Sequence, residues 1–317
     1  MNHTSYQRPL SSFLTFIMVW LICMLAFSGF ALLTGTWLFG RDVITAGAGA
    51  VDMPRGMEWL RYGQLVNQFG FFILPSILFS IIAYGRKDAL RGLGLCTRSS
   101  MQVWLFAIIL IIASVPLVNS LIEWNESLNL PESLGGVESW MRRQEDAAVA
   151  LSEAMVSDAS YRGLAWNILL MAILPGIGEE LLFRGTLQPL FVRWTRNAHL
   201  GVLLAAFAFS AMHVQFFGFV PRLFLGLLLG YVFLWSRNLW IPMAMHFLNN
   251  FSVVFFYWLS ARGLITEDPE VLAAFNPLWA LLASIFIVSA AMWGIWRARQ
   301  RSVSDAGNIG TGPDVDN

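Results

Sequence analysis

Successive apolar runs, each long enough to cross a bilayer at about 20 residues, dominate this 317-residue chain. In lipid such a run must satisfy its own backbone hydrogen bonds, which a helix does. About eight runs qualify by that length: 13–39, 65–84, 103–122, 164–183, 201–220, 223–235, 239–259 and 278–296. The sixth is short, and the fourth merges into an amphipathic stretch. With 57% of residues apolar and only 13% charged, a soluble domain is excluded. The expected fold is all-α, a polytopic helical bundle of about eight transmembrane helices. One transmembrane domain, 1–301, holds a polar-motif core at 164–259 and an extramembrane insertion at 123–163. In that insertion Val137, Trp140, Met141, Ala148, Leu151 and Met155 recur at helical spacing, as on a surface helix or a lid. The tail, 302–317, is polar and rich in Gly and Asp, and is expected to be disordered and cytoplasmic.

Arginine placement sets the orientation. Arg86, Lys87, Arg91 and Arg98 follow the second run, Arg193 and Arg196 the fourth, and Arg297, Arg299 and Arg301 the last. Alternating helices put all of these on one side, and the acid-rich loops 123–163 and around Glu267, Asp268 and Glu270 on the other. Both termini are then cytoplasmic, in a multi-pass protein of the cytoplasmic (inner) membrane. Arg41, Arg55 and Arg61 run against this pattern. The first run is too long for a signal-peptide core and reads as a retained helix. Cys23 and Cys96 fall in different environments, so neither a disulfide nor a cysteine metal cluster is expected. No basic aromatic platform points to nucleic acid.

Charges inside the apolar runs are the functional signal, because each costs about 2.5–3.5 kcal/mol on insertion. Glu179 and Glu180 end one run, with Arg184 a turn later. If this stretch is helical, Glu180 and Arg184 share a face, and Arg184 can hold Glu180 as a charge-assisted partner. Glu179 points about 100° away and is left for a different neighbour. Pro175, Gly176 and Gly178 just before them loosen the helix and let another backbone come near. His213 lies four residues after Phe209, and His246 and Asn250 form a second four-residue pair of donors. Counting rise from the helix ends puts Glu179 and His246 in the cytoplasmic half, with His213 somewhat deeper. Gly226 and Gly230 make a GxxxG, the spacing of close helix packing.

These residues resemble the signature of the CPBP family, the CAAX-protease and bacteriocin-processing membrane proteins also called glutamic abortive-infection (Abi) proteins. That signature is EExxxR, then FxxxH, then HxxxN or HxxxD on successive membrane helices. Here it reads Glu179-Glu180-Leu181-Leu182-Phe183-Arg184, Phe209-Ser210-Ala211-Met212-His213 and His246-Phe247-Leu248-Asn249-Asn250. All three match in order, within about 164–259.

The resemblance implies an eight-helix bundle and intramembrane proteolysis. Glu179 and His213 would hold and deprotonate a water, His246 and Asn250 would donate to the developing oxyanion, and Glu180 with Arg184 would orient the site. It implies no cofactor, and a membrane-embedded or lipid-anchored peptide or protein as substrate. A metal-dependent version of the same protease, a proton-coupled transporter and a non-catalytic immunity or membrane partner protein are the competing readings. Against the transporter, no inverted repeat is visible and the polar residues cluster.

Overall fold

The structure is a computed structural model that describes residues 9–45, 53–265 and 277–309. Among these the regular structure is helical. In chain order the main elements are α1 (Pro9–Phe39), α2 (Gly56–Tyr84), α3 (Met101–Glu126), α4 (Gly135–Val156), α5 (Tyr161–Thr195), α6 (Ala198–Ala211), α7 (Phe219–Ser236), α8 (Trp240–Ala261) and α9 (Leu278–Ile309). Six are long and apolar enough to cross a membrane: α1, α2, α3, α5, α7 and α9. Six of the eight expected spans are matched by these helices; the other two apolar runs fall on α6 and α8, which are not among the six. At 14 residues, α6 reaches about 21 Å, short of a hydrocarbon core of about 30 Å. The chain is a multi-pass membrane protein, and Leu33, Trp37, Phe286 and other large apolar side chains of α1 and α9 are exposed where lipid would cover them.

α5 is the central helix. Its most apolar window is 67% buried, against 17–39% for the other five spans. One core lies between α3, α7, α8 and α9, built on Leu110, Leu229, Val232, Ile241, Met245 and Ile295. A second lies between α1, α2, α5 and α6, built on Phe16, Phe79, Phe183, Leu187 and Phe209. GxxxG lets α6 lie close on α7: a Cβ on Gly226 would meet Ala206 at 3.0 Å, and one on Gly230 would meet Val202 at 2.9 Å.

Two boundaries correct the sequence reading. The run 201–220 is not one helix. It ends at Ala211, and a turn at 212–218 carries His213 before α7 begins. Val214 takes a left-handed φ of 54°. Arg222 fastens the turn by donating to the Gln215 side chain at 2.9 Å and to its carbonyl at 2.8 Å. Polar side chains thus break a stretch whose apolar content is unbroken. The fourth run, in turn, does not stop near Phe183 but continues to Thr195, so Glu179 sits midway along α5 and not near its end. Rise counted from apolar-run ends misplaced it because the second half of α5 is buried in protein. The tail expected at 302–317 is helical in backbone to Ile309; residues 310–317 and the acidic loop at Glu267, Asp268 and Glu270 lie outside the described residues.

Prolines explain the irregular turns in α2 and α5. A proline inside a helix removes one N–H and pushes away the carbonyl four residues earlier. α2 widens into a π turn at Gln68–Ile73 before Pro75, and α5 does so at Ile168–Ile173 before Pro175. The displaced carbonyls find side-chain donors: Trp20 Nε1 donates to Phe71 O at 3.0 Å and Asn250 Nδ2 to Met171 O at 3.1 Å. A further π turn, Leu181–Leu187, follows the two glutamates.

The arginine-rich loops gather at one end of the bundle. Arg193 donates to Tyr84 at 2.7 Å, Trp240 Nε1 to Leu95 O at 3.1 Å, and Phe13 of α1 stacks on Trp194. The opposite end carries α4. Of the arginines that run against the charge pattern, Arg55 pairs with Glu58 and Arg61 with Asp158, each at 3.1 Å. Asp158 caps the corner between α4 and α5, where Trp258 Nε1 also donates to Ala159 O at 3.0 Å. Hydrogen bonding from Ser160, helped by Arg61 and opposed by partial burial, holds the Asp158 carboxyl below its ordinary 3.8. A depressed folded-state value means that its stabilisation is present above about pH 3.8 and fades as pH falls through the lower folded value. Backbone hydrogen exchange at 157–163 should therefore stay slow down to pH 4 and speed up below it; Asp158→Asn should exchange fast at neutral pH and lose the acid transition.

Candidate active site

The pair expected at the head of the site is present and dry. Arg184 Nη1 donates to Glu180 Oε1 at 2.6 Å, with side chains 1% and 0% exposed. The π turn from Leu181 does not prevent the four-residue contact. Arg184 also lies over the Phe209 ring at 4.7 Å and donates through Nη2 to Gly226 O at 3.1 Å. One turn on, Gln188 Nε2 donates to Gly230 O at 3.0 Å. The two glycines that let α6 approach α7 thus also offer their carbonyls to α5. Sequence reasoning missed Gln188, although its four-residue spacing from Arg184 matches that of the glycines.

Glu180 is the hub that brings α8 in. His246 Nδ1 lies 2.9 Å from Glu180 Oε1, and a carboxylate that already accepts from arginine accepts here too, so Nδ1 is the donor. The other imidazole nitrogen, Nε2, faces Glu179 Oε2 at 3.9 Å. Gly176 allows this approach, as a Cβ there would meet Phe247 N at 3.1 Å and Met243 O at 3.3 Å. The expectation that the Pro-Gly stretch lets another backbone come near is met by α8.

His213 sits in the turn after α6, with Nδ1 at 2.9 Å from Phe209 O. A carbonyl can only accept, so Nδ1 carries the proton and neutral His213 keeps its Nε2 lone pair. Glu179, His213 and Asn250 line a common cavity of about 270 Å³, together with Gln64, Asn67, Gln68 and the apolar Phe72, Leu170, Met171, Pro175, Phe183 and Met212. Glu179 is buried, and its Oε2 has no hydrogen-bond partner among the described residues. Asn250 has one amide proton committed to Met171 O, and its oxygen accepts from Asn249 at 3.1 Å. One N–H remains for a ligand.

The turn bearing His213 is held from outside as well. Glu145 of α4 accepts from Gln215 Nε2 and from Phe217 N, each at 3.3 Å; Arg142 lies over the Phe217 ring at 4.5 Å, and Trp140 meets Phe216 at 5.3 Å. The amphipathic insertion therefore braces the site. Among the described residues no group of three or more His, Cys, Asp or Glu side chains is disposed to hold a metal ion.

Residues 161–252 match the family described as Type II CAAX prenyl endopeptidase Rce1-like. All seven motif positions fall inside that stretch, so the family resemblance read from the three motifs is borne out there; α1–α4 and α9 lie outside it. Over 86 residues the chain is 31% identical to the uncharacterised protein YpbD of Bacillus subtilis (strain 168), a stretch covering 26% of this chain and 41% of that relative. No solved structure matches the chain.

Breaking the buried pair has a predictable cost. Arg184→Ala leaves the Glu180 charge enclosed without its cation and should destabilise the protein by about 3–5 kcal/mol. Replacing both partners, as in Glu180→Gln with Arg184→Met, should cost less than Arg184→Ala alone. Glu179→Gln, which breaks no such pair, should leave thermal unfolding in detergent nearly unchanged. Equal unfolding temperatures for Arg184→Ala and wild type would refute a structural role for the pair.

Proposed function

We propose that the protein is an intramembrane endopeptidase of the CAAX type, and that Glu179 and His213 activate the attacking water. The observation that carries this reading is their placement on one cavity, with Glu179 Oε2 unpartnered and the Nε2 lone pair of His213 uncommitted. The family match over 161–252 supports the reaction class. Water held between the carboxylate and the imidazole gives up a proton as its oxygen attacks the scissile carbonyl. The tetrahedral oxyanion then takes hydrogen bonds from the remaining Asn250 N–H and from His246. His246 can donate there only through Nε2, so it must carry protons on both nitrogens while Glu180 holds Nδ1. Collapse of the intermediate sends the proton to the leaving amine. Glu180 and Arg184 touch no reacting atom in this scheme; they aim His246.

The substrate is a membrane-embedded or lipid-anchored peptide, reaching a site within the bundle. The protein sits in the cytoplasmic membrane with both termini cytoplasmic, a topology that the clustering of Arg86, Arg91, Arg193 and Arg297 at one end supports.

In proteoliposomes with anchored peptides, Glu179→Gln and His213→Ala should abolish turnover with the fold intact. Asn250→Ala should lower kcat by about 10²–10³, the loss of one oxyanion donor, with KM little changed. Chelator treatment of purified protein should leave activity in place. Full turnover by Glu179→Gln would remove the mechanism. Stoichiometric zinc, with activity lost to chelator and restored by zinc, would replace it with the metal-dependent version.

Cysteine labelling of intact cells checks the topology. A cysteine at Asn129 should label, and one at Arg301 should be protected until the membrane is permeabilised. The reverse pattern would invert the orientation.

A further inference from the structure

Part of the cavity that Glu179 lines comes from α2, outside the matched stretch 161–252 and outside the three motifs. It presents neutral carboxamides: Gln64, Asn67 and Gln68. Gln64 and Gln68 are one helical turn apart and share a face. Gln68 is 4% exposed, and its Oε1 is buried without a hydrogen-bond partner among the described residues. A buried, unsatisfied amide oxygen is costly and rare in a native fold. It calls for a reason at that place.

Two local features bring Gln68 there. It opens the π turn Gln68–Ile73 that precedes Pro75. It also packs against Gly178, the residue before Glu179: a Cβ on Gly178 would meet Gln68 Oε1 at 2.9 Å. Glycine at 178 leaves room for the amide there. Of the other lining residues, Glu179, His213 and Asn250 are polar, and Phe72, Leu170, Met171, Pro175, Phe183 and Met212 are apolar.

We propose that Gln68, flanked by Gln64 and Asn67, forms a main-chain binding subsite that takes an extended peptide in the cavity that Glu179 lines, with Gln68 accepting a substrate backbone N–H. This rests on the endopeptidase reading and adds the part of the site that aligns the substrate. The chemistry selects a peptide backbone. A carboxamide pairs with N–H or C=O and brings no charge into the bundle, whereas a wall meant for a charged group would carry Lys or Arg. The cavity, about 270 Å³, admits a short run of backbone with its flanking side chains directed along the apolar walls.

The probe is a fluorogenic, acyl-anchored peptide that wild type cleaves in proteoliposomes and Glu179→Gln does not. On it, Gln68→Met should raise KM about ten-fold with kcat little changed, the size of one lost hydrogen bond. Its unfolding temperature should equal or exceed that of wild type, because an unsatisfied buried acceptor has been removed. A series of peptides, each with one backbone N–H replaced by an ester oxygen away from the scissile bond, gives the second reading. One position should raise KM for wild type and leave Gln68→Met unaffected. A wild-type KM in Gln68→Met overturns the subsite while the endopeptidase reading stands. So does a clear fall in unfolding temperature with kcat and KM both damaged, which marks a structural role. If Glu179→Gln cleaves like wild type, or wild type cleaves none of an anchored-peptide library, the endopeptidase reading itself fails and the subsite with it.

Discussion

A guanidinium and a carboxylate enclosed together at the centre of a lipid-facing bundle govern the arrangement of everything around them. Arg184 and Glu180 are nearly inaccessible, and neither could stay buried alone. Satisfying them recruits the neighbours: a carbonyl from α7, a ring from α6 and an imidazole from α8. Hydrocarbon supplies little drive for helices to associate. Polar groups that must find partners fix which helices meet and at what rotation. The same contacts that relieve the buried charges aim His246 at Glu179. Folding and site assembly are here one event.

Much of this was legible in the sequence, because intramembrane polar residues are few and each must be accounted for. The Glu180–Arg184 contact follows from their spacing, and the approach of α8 from the glycine at 176. The six long apolar helices follow from hydropathy, and the three motifs announced the likeness found over 161–252. What escaped notice was set by side chains acting on backbone. The turn at 212–218 has no glycine or proline before Gly218, and its apolar content reads as helix; Arg222 and Glu145 hold it by contacts that no periodicity reveals. Asn250 was read as a ligand donor alone, but Pro175 displaces a carbonyl that claims one of its protons. Gln68 was invisible for the opposite reason: polar residues at the start of an apolar run, here Gln64, Asn67 and Gln68, look like interface residues until the packing of Gln68 against Gly178 is seen.

The insertion α4 joins the two halves of this account. Glu145 and Arg142 reach the turn that carries His213, and Asp158 with Ser160 anchors the other end of α4 to α2 and α5. His213 is mounted on a segment steadied by α4, while Glu179 is fixed by the core. One half of the proposed water-binding pair is therefore held by burial and the other by a peripheral brace.

The wide turns of α5 have a consequence for how the chain can change. Glu179 and Glu180 lie on the short α-helical stretch Leu174–Glu180, framed by π turns at Ile168–Ile173 and Leu181–Leu187. A π turn holds one residue more than the α turn it replaces. Each is thus a slot in the register: removing a residue there lets the turn close into regular form and leaves what lies beyond facing the same way, drawn about 1.5 Å along the axis. A residue lost from a regular turn instead rotates everything beyond it by about 100°. Loss within Ile168–Ile173 would keep both carboxylates on their face, and loss between Gly185 and Leu187 would keep Gln188 on the side of the Gly230 carbonyl. The wide turns are where this helix can change length without turning its carboxylates away from α8.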